Sequence, residues 1–144
     1  MGETRQTLYD RDFALWVEDT VAKLQNQDFS HLDLGNLIEE VASLGKRDRR
    51  ELLNRMTTLL EHLLKLRYVD LPECCNGWRV TIKRTQRKLY LLLQDSPSLR
   101  NFARENILEC YQVALSIVKQ AYPSVNFPPD CPFPPDIDLL ITEN

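Results

Sequence analysis

The chain has 144 residues, 43% of them hydrophobic and 27% charged, with four glycines, eight prolines and a formal net charge of −3. That is one domain's worth of chain, apolar enough to bury a core and so excluded from the disordered and collagen-like classes. No apolar run approaches the roughly 20 residues needed to cross a bilayer, which predicts no membrane span.

The N-terminal stretch MGETRQTLYDRDF has neither an apolar core nor a small-residue cleavage site, and a cytoplasmic location is the expectation that follows. The four cysteines, at 74, 75, 110 and 131, lack the spacing of a disulfide framework. In a reducing compartment they are expected as free thiols.

Apolar residues recur at three and four rather than at two, which predicts helices and no sheet. The first helix is expected over about 10–25, capped by Asp10 or Asp12, with Phe13, Trp16, Val17 and Val21 forming its inner stripe. A polar connection follows at 26–32, with Phe29 and Leu32 expected to pin it to the core. Asp33 is the predicted N-cap of the next helix, which starts with Leu34, Leu37, Ile38 and Val41. Positions 38, 41, 45, 49, 52, 56, 59, 63 and 66 then keep one stripe in register across Gly45. One long helix over 34–69 is therefore the first reading, and a break at Gly45 with that residue as a left-handed cap is the alternative.

Leu71-Pro72-Glu73 predicts the end of this helix, with a turn at Cys74-Cys75-Asn76-Gly77. A third helix is expected over 78–94, on Trp78, Ile82, Leu89, Leu92 and Leu93. Asp95-Ser96-Pro97-Ser98 signals the start of a fourth, which carries Leu99, Ala103, Ile107, Cys110 and Ala114 and stops before Pro123. Six of the eight prolines lie in the remainder, so 123–144 should be an extended strap with at most a short helical turn near 135–140. Phe127, Phe133, Ile137 and Leu140 are expected to dock it. The predicted architecture is all-α: a compact bundle of about four helices, one of them long, in a single domain 1–144. Residues 1–9 are its N-terminal arm.

Charge is segregated along the chain. Residues 1–45 sum to −6, 46–75 to +2, 76–104 to +6 and 105–144 to −5. Arg79, Lys83 and Arg87 share one helical stripe, with Arg84 and Lys88 on the next. Such a basic face admits three readings: ion pairing with Glu18, Asp19, Glu39 and Glu40 of the first two helices, binding of nucleic acid or another polyanion, or an acidic protein partner.

Sites for chemistry are sparse. Glu39, Glu40, His62, Lys65 and Trp78 form a candidate polar cluster, and Glu39, Glu40 and His62 would be the ligands of a metal-assisted hydrolase. Against this, Glu61 and His62 are adjacent and diverge by about 100° on a helix, and no Glu-x-x-His pair exists. On a continuous helix Glu39 would also lie roughly 35 Å from His62. Neither a metal nor a cofactor is expected. No phosphate-cradling glycine loop or nucleophile elbow is present.

Several stretches, taken in order, resemble the bacterial family called domain of unknown function 29: LYDRDFALWVEDT at 8–20, LDLGNLIEEVASLGKRDRREL at 32–52, LLEHLLKLRY at 59–68, WRVTIKRTQRKL at 78–89, DSPSLR at 95–100 and FPPDCPF at 127–133. The chain departs from the family pattern at Leu66-Arg67-Tyr68, where a stretch like LLKWQY is expected. The resemblance implies a largely helical domain with a proline-rich C-terminal segment and no assigned activity. It singles out Trp16, Glu39, Glu40, Gly45, His62, Lys65, Trp78, Arg79, Thr81, Ile82 and Arg87. Together these readings favour a non-enzymatic bundle that acts by association, with a protein partner or as a homo-oligomer, and nucleic-acid binding as the runner-up.

Overall fold

In the computed structural model, which describes residues 6–143, the elements are α1 (Leu8–Arg11), α2 (Phe13–Gln25), a 3₁₀ turn (Phe29–His31), α3 (Leu34–Tyr68), α4 (Pro72–Asp95), α5 (Leu99–Ala121) and α6 (Ile137–Leu140). No strand occurs among the described residues, so the expected all-helical fold with one long helix is found. The chain clusters into two compact units, Met1–Lys46 and Arg47–Asn144.

In the first unit Asp12 leaves helical geometry and separates α1 from α2. Its Oδ1 accepts from the Leu15 amide at 3.0 Å, so of the two expected caps, Asp10 and Asp12, it is Asp12 that caps α2. The helix before it is capped by Thr7. α2 ends in a left-handed reversal: the Gln27 amide donates to the Leu24 carbonyl and the Asp28 amide to that of Lys23, with Gln27 at φ 56°. The Asp33 carbonyl accepts from the Leu37 amide at 3.0 Å, the first bond of α3.

α3 continues unbroken through Gly45, which does not take the left-handed conformation of a cap. Nothing lies within 4 Å of where a Cβ would stand there, so this glycine serves no close approach. Its helix persists because the flanking residues are good helix formers and the apolar stripe stays in register.

The second unit is a bundle of the C-terminal half of α3 with α4 and α5. α5 runs parallel to α3, since the Arg49 guanidinium sits over the Phe102 ring at 5.6 Å and Cys110 Sγ meets the Leu53 carbonyl at 3.7 Å, four residues further along α3. α4 runs the other way, joined to α3 by three residues. The fully buried centre is Leu52, Met56, Leu59, Leu60 and Leu64 of α3, Leu89 and Leu93 of α4, and Tyr111 with Val118 of α5.

Pro72 does not follow a helix end by a turn but opens α4 itself. A proline at the first helical position loses no needed amide and arrives with its φ set, so Cys74 to Gly77, expected as a turn, is the first part of the helix. The strap returns along the bundle. Phe127 packs edge-on to Tyr68 at 6.2 Å, the Tyr111 hydroxyl donates to the Pro128 carbonyl, and Arg67 lies over the Phe133 ring at 4.8 Å.

Candidate functional site

The first unit is a helical hairpin. The Tyr9 hydroxyl donates to Glu40, and Trp16 Nε1 donates to Asp33 Oδ2 at 3.2 Å, pairings that fall in antiparallel order. Asn36 Nδ2 reaches the same Asp33 oxygen at 2.8 Å, and these bonds hold the Asp33 carboxyl below its ordinary range. The bond to Glu40, with burial and the charges of Glu40 and Glu39, pushes the Tyr9 phenol up to about 12. Tyr9 meets Trp16 edge-on at 5.0 Å, and Phe13 stacks on Trp16 at 5.7 Å.

Only Trp16 and Thr20 of α2 are buried. Phe13, Val17 and Val21, expected inside, are 38–49% exposed, and Phe29, expected to pin its loop, is 62% exposed. Leu34, Ile38 and Val41 of α3 are more than half exposed as well. A two-helix layer has room to bury one line of contact; the rest of a broad apolar stripe stays outside. On each helix the exposed stripe lies about a quarter-turn from the line of mutual contact, in the same rotational sense. Because the helices are antiparallel, that places both stripes on one side of the hairpin. By helix geometry Glu18, Asp19 and Lys23 of α2 and Glu39 and Glu40 of α3 fall outside this face, and Asp19 pairs with Lys23 at 2.7 Å.

The residues of the proposed polar cluster part company along α3. Glu39 and Glu40 belong to the hairpin, and His62 and Lys65 lie about six helical turns further on. Among the described residues no three His, Cys, Asp or Glu side chains gather as a metal site would require. His62 Nδ1 donates to the Thr58 carbonyl at 2.9 Å, one turn back on the same helix. Lys65 pairs with Glu61 at 3.0 Å, both mostly buried. Trp78 is a core residue, edge-on to Tyr122 at 6.4 Å.

Arg79, Lys83, Arg84, Arg87 and Lys88 are all exposed. Among the described residues of the second unit none has a carboxylate within 4.0 Å; the ion pairs described there are Glu51–Arg55, Glu61–Lys65, Arg67–Glu143 and Arg100–Asp138. The face divides. Arg79 and Lys83 border a cavity of about 230 Å³ with Leu66, Ile82, Gln86 and Glu143. Arg79 also lines a second, of about 380 Å³, with Leu63, Leu66, Arg67 and Phe133. Arg84 and Lys88 turn away from both, and Arg87 lies over the Tyr90 ring at 5.6 Å.

Arg67, Gln86 and Glu143 were not singled out by the sequence. The charges offered a signal, since residues 105–144 sum to −5 and 76–104 to +6.

These features define a helical protein with an apolar hairpin face and a basic, strap-covered groove, without a gathered set of catalytic or metal-binding groups among its described residues. The chain belongs to the family described as Domain of unknown function DUF29, whose model matches residues 8–143. No curated protein and no solved structure matches it. No helix among the described residues is long and apolar enough to cross a membrane.

Proposed function

We propose that the protein acts by association, with the N-terminal hairpin as its docking element and a second copy of the same hairpin as its partner. The observation that carries this reading is the uncharged apolar face built from Phe13, Val17, Val21 and Leu24 of α2 with Leu34, Ile38 and Val41 of α3. Two such layers laid face to face make a four-helix arrangement in which each stripe finds the cover its own chain does not provide. Twofold symmetry is the commonest way for identical chains to meet, and a face that keeps its carboxylates on the flanks can meet its own copy without opposed charges. A cytoplasmic setting is the compartment we infer, in keeping with four free thiols at Cys74, Cys75, Cys110 and Cys131.

Sedimentation velocity over a range of concentration tests the reading. The wild-type chain should pass from monomer to dimer between micromolar and sub-millimolar concentration, and the double variant Val17→Glu with Ile38→Glu should stay monomeric while keeping its helical circular dichroism. A wild-type chain that is monomeric throughout overturns it.

A second reading is favoured by one observation, the five exposed α4 cations that no carboxylate among the described residues of their own unit neutralises. Such a face suits a nucleic-acid backbone. Its binding would weaken steeply with salt and be lost in Lys83→Glu with Arg87→Glu.

A further inference from the structure

The two cavities that share Leu66 and Arg79 have a makeup that neither self-association nor nucleic-acid binding explains. Their floor is apolar, with Leu63, Ile82 and Phe133 all buried. Their upper wall is cationic: Arg67, Arg79 and Lys83 reach the rim from two helices. Arg67 is further oriented by the Phe133 ring, over which its guanidinium lies at 4.8 Å. Gln86 lies between them with its amide hydrogens engaged by the strap.

Among the described residues one anion touches this constellation, and it comes from the strap. Glu143 Oε1 stands 3.5 Å from Arg67 Nη2, a long and exposed contact. Gln86 Nε2 holds the same segment by donating to the Leu140 carbonyl at 3.1 Å and to the Glu143 carbonyl at 2.5 Å. Among the described residues of this unit Arg79 and Lys83 have no carboxylate within 4.0 Å. One described carboxylate among three cations leaves an excess of positive charge over an apolar floor.

We propose that this groove is a binding site for a small organic phosphate with an apolar body, and that Glu143 occupies part of it as an internal competitor. The phosphate would take the guanidinium groups of Arg67 and Arg79 and the Lys83 ammonium, for which planar, multidentate arginine donors are well suited. The body would lie on Leu63, Leu66 and Phe133. Volumes of about 230 and 380 Å³ suit a small ligand of one ring and one phosphate better than a polymer. The site goes beyond the association reading and is independent of it, since it lies wholly within the second unit.

Isothermal titration of the full chain with phenyl phosphate, inorganic phosphate and benzyl alcohol tests it. Phenyl phosphate should bind saturably at one site per chain, about tenfold tighter than inorganic phosphate, and benzyl alcohol should not bind measurably. Arg79→Gln and Lys83→Gln, both at exposed positions and checked for unchanged circular dichroism, should each weaken phenyl phosphate by about tenfold. Glu143→Gln should strengthen it several-fold, and Arg84→Gln, on the same helix but outside the groove, should leave it unchanged. Three results overturn the proposal: no saturable binding by wild type or Glu143→Gln, an equal loss from Arg84→Gln, or inorganic phosphate bound as tightly as phenyl phosphate.

Discussion

The two halves of α3 carry the same kind of apolar stripe and meet opposite fates. In the C-terminal half Leu52, Leu59, Leu60 and Leu64 are wholly buried, covered by α4, α5 and the strap. In the N-terminal half Leu34, Ile38, Val41 and Leu44 are 54–60% exposed. Periodicity tells a helix which side is apolar, and the number of neighbouring elements decides whether that side is covered. The bundle has four elements around its core, and the hairpin has two.

The largest expected effect is a direct contrast of the two halves. Leu60→Ala removes a fully buried side chain from the bundle and should destabilise it by about 2–5 kcal/mol. Ile38→Ala, 60% exposed on the same helix, should change thermal stability of dilute protein by less than about 0.5 kcal/mol. Thermal or urea unfolding at low concentration measures both. A comparable loss at Ile38 would mean that the hairpin face is covered within the chain itself.

The same contrast explains how much was legible in the sequence. Helix content, the continuous 34–68 rod, the Asp12 cap and the docking of Phe127, Phe133, Ile137 and Leu140 all follow from local chemistry and spacing, and the structure has them. The inner stripe assigned to Phe13, Val17 and Val21 does not, because the sequence marks an apolar face without saying that only Trp16 and Thr20 of α2 become buried. Pro72 was misread for a related reason: proline stops one helix and starts another with equal ease, and only the chain's path decides. Of the candidate site, Arg79 and Lys83 were legible as cations. The groove they border was not, because Arg67, Gln86, Phe133 and Glu143 meet there only through tertiary packing across as many as 76 positions of sequence.

Within the bundle, Tyr111 gives a smaller effect with a pH signature. It is fully buried, its hydroxyl donates to the Pro128 carbonyl, and burial, with the neighbouring Cys131, Tyr68 and Asp130, pushes its phenol up to about 12. A phenol raised above its unfolded value of 10.0 contributes stability that is fully present below pH 10 and is lost as pH climbs toward 12. Tyr111→Phe should cost about 1–2 kcal/mol at neutral pH by removing the bond that fastens the strap. It should also flatten the fall in stability between pH 10 and about 12 relative to wild type, read from urea midpoints across that range. An unchanged alkaline slope would assign the titration to another group.

The hairpin supplies the smallest effect, and one of opposite sign. Gln27 holds φ 56° at the end of α2, where the reversal that closes the helix normally uses glycine. A side chain in the left-handed region costs about 1–2 kcal/mol, and glycine returns roughly 0.5–1 kcal/mol of that as extra entropy of the unfolded chain. Gln27→Gly should therefore stabilise the hairpin by about 0.5–1 kcal/mol. Because the change acts on the first unit, it should slow amide exchange in α2 and leave that of Leu59, Leu60 and Leu64 as it was. Slower exchange in both places would show that hairpin and bundle unfold as one cooperative body; protection gained in α2 alone would show that the hairpin opens by itself, because the apolar layer that only two helices cover is held by less than the bundle core.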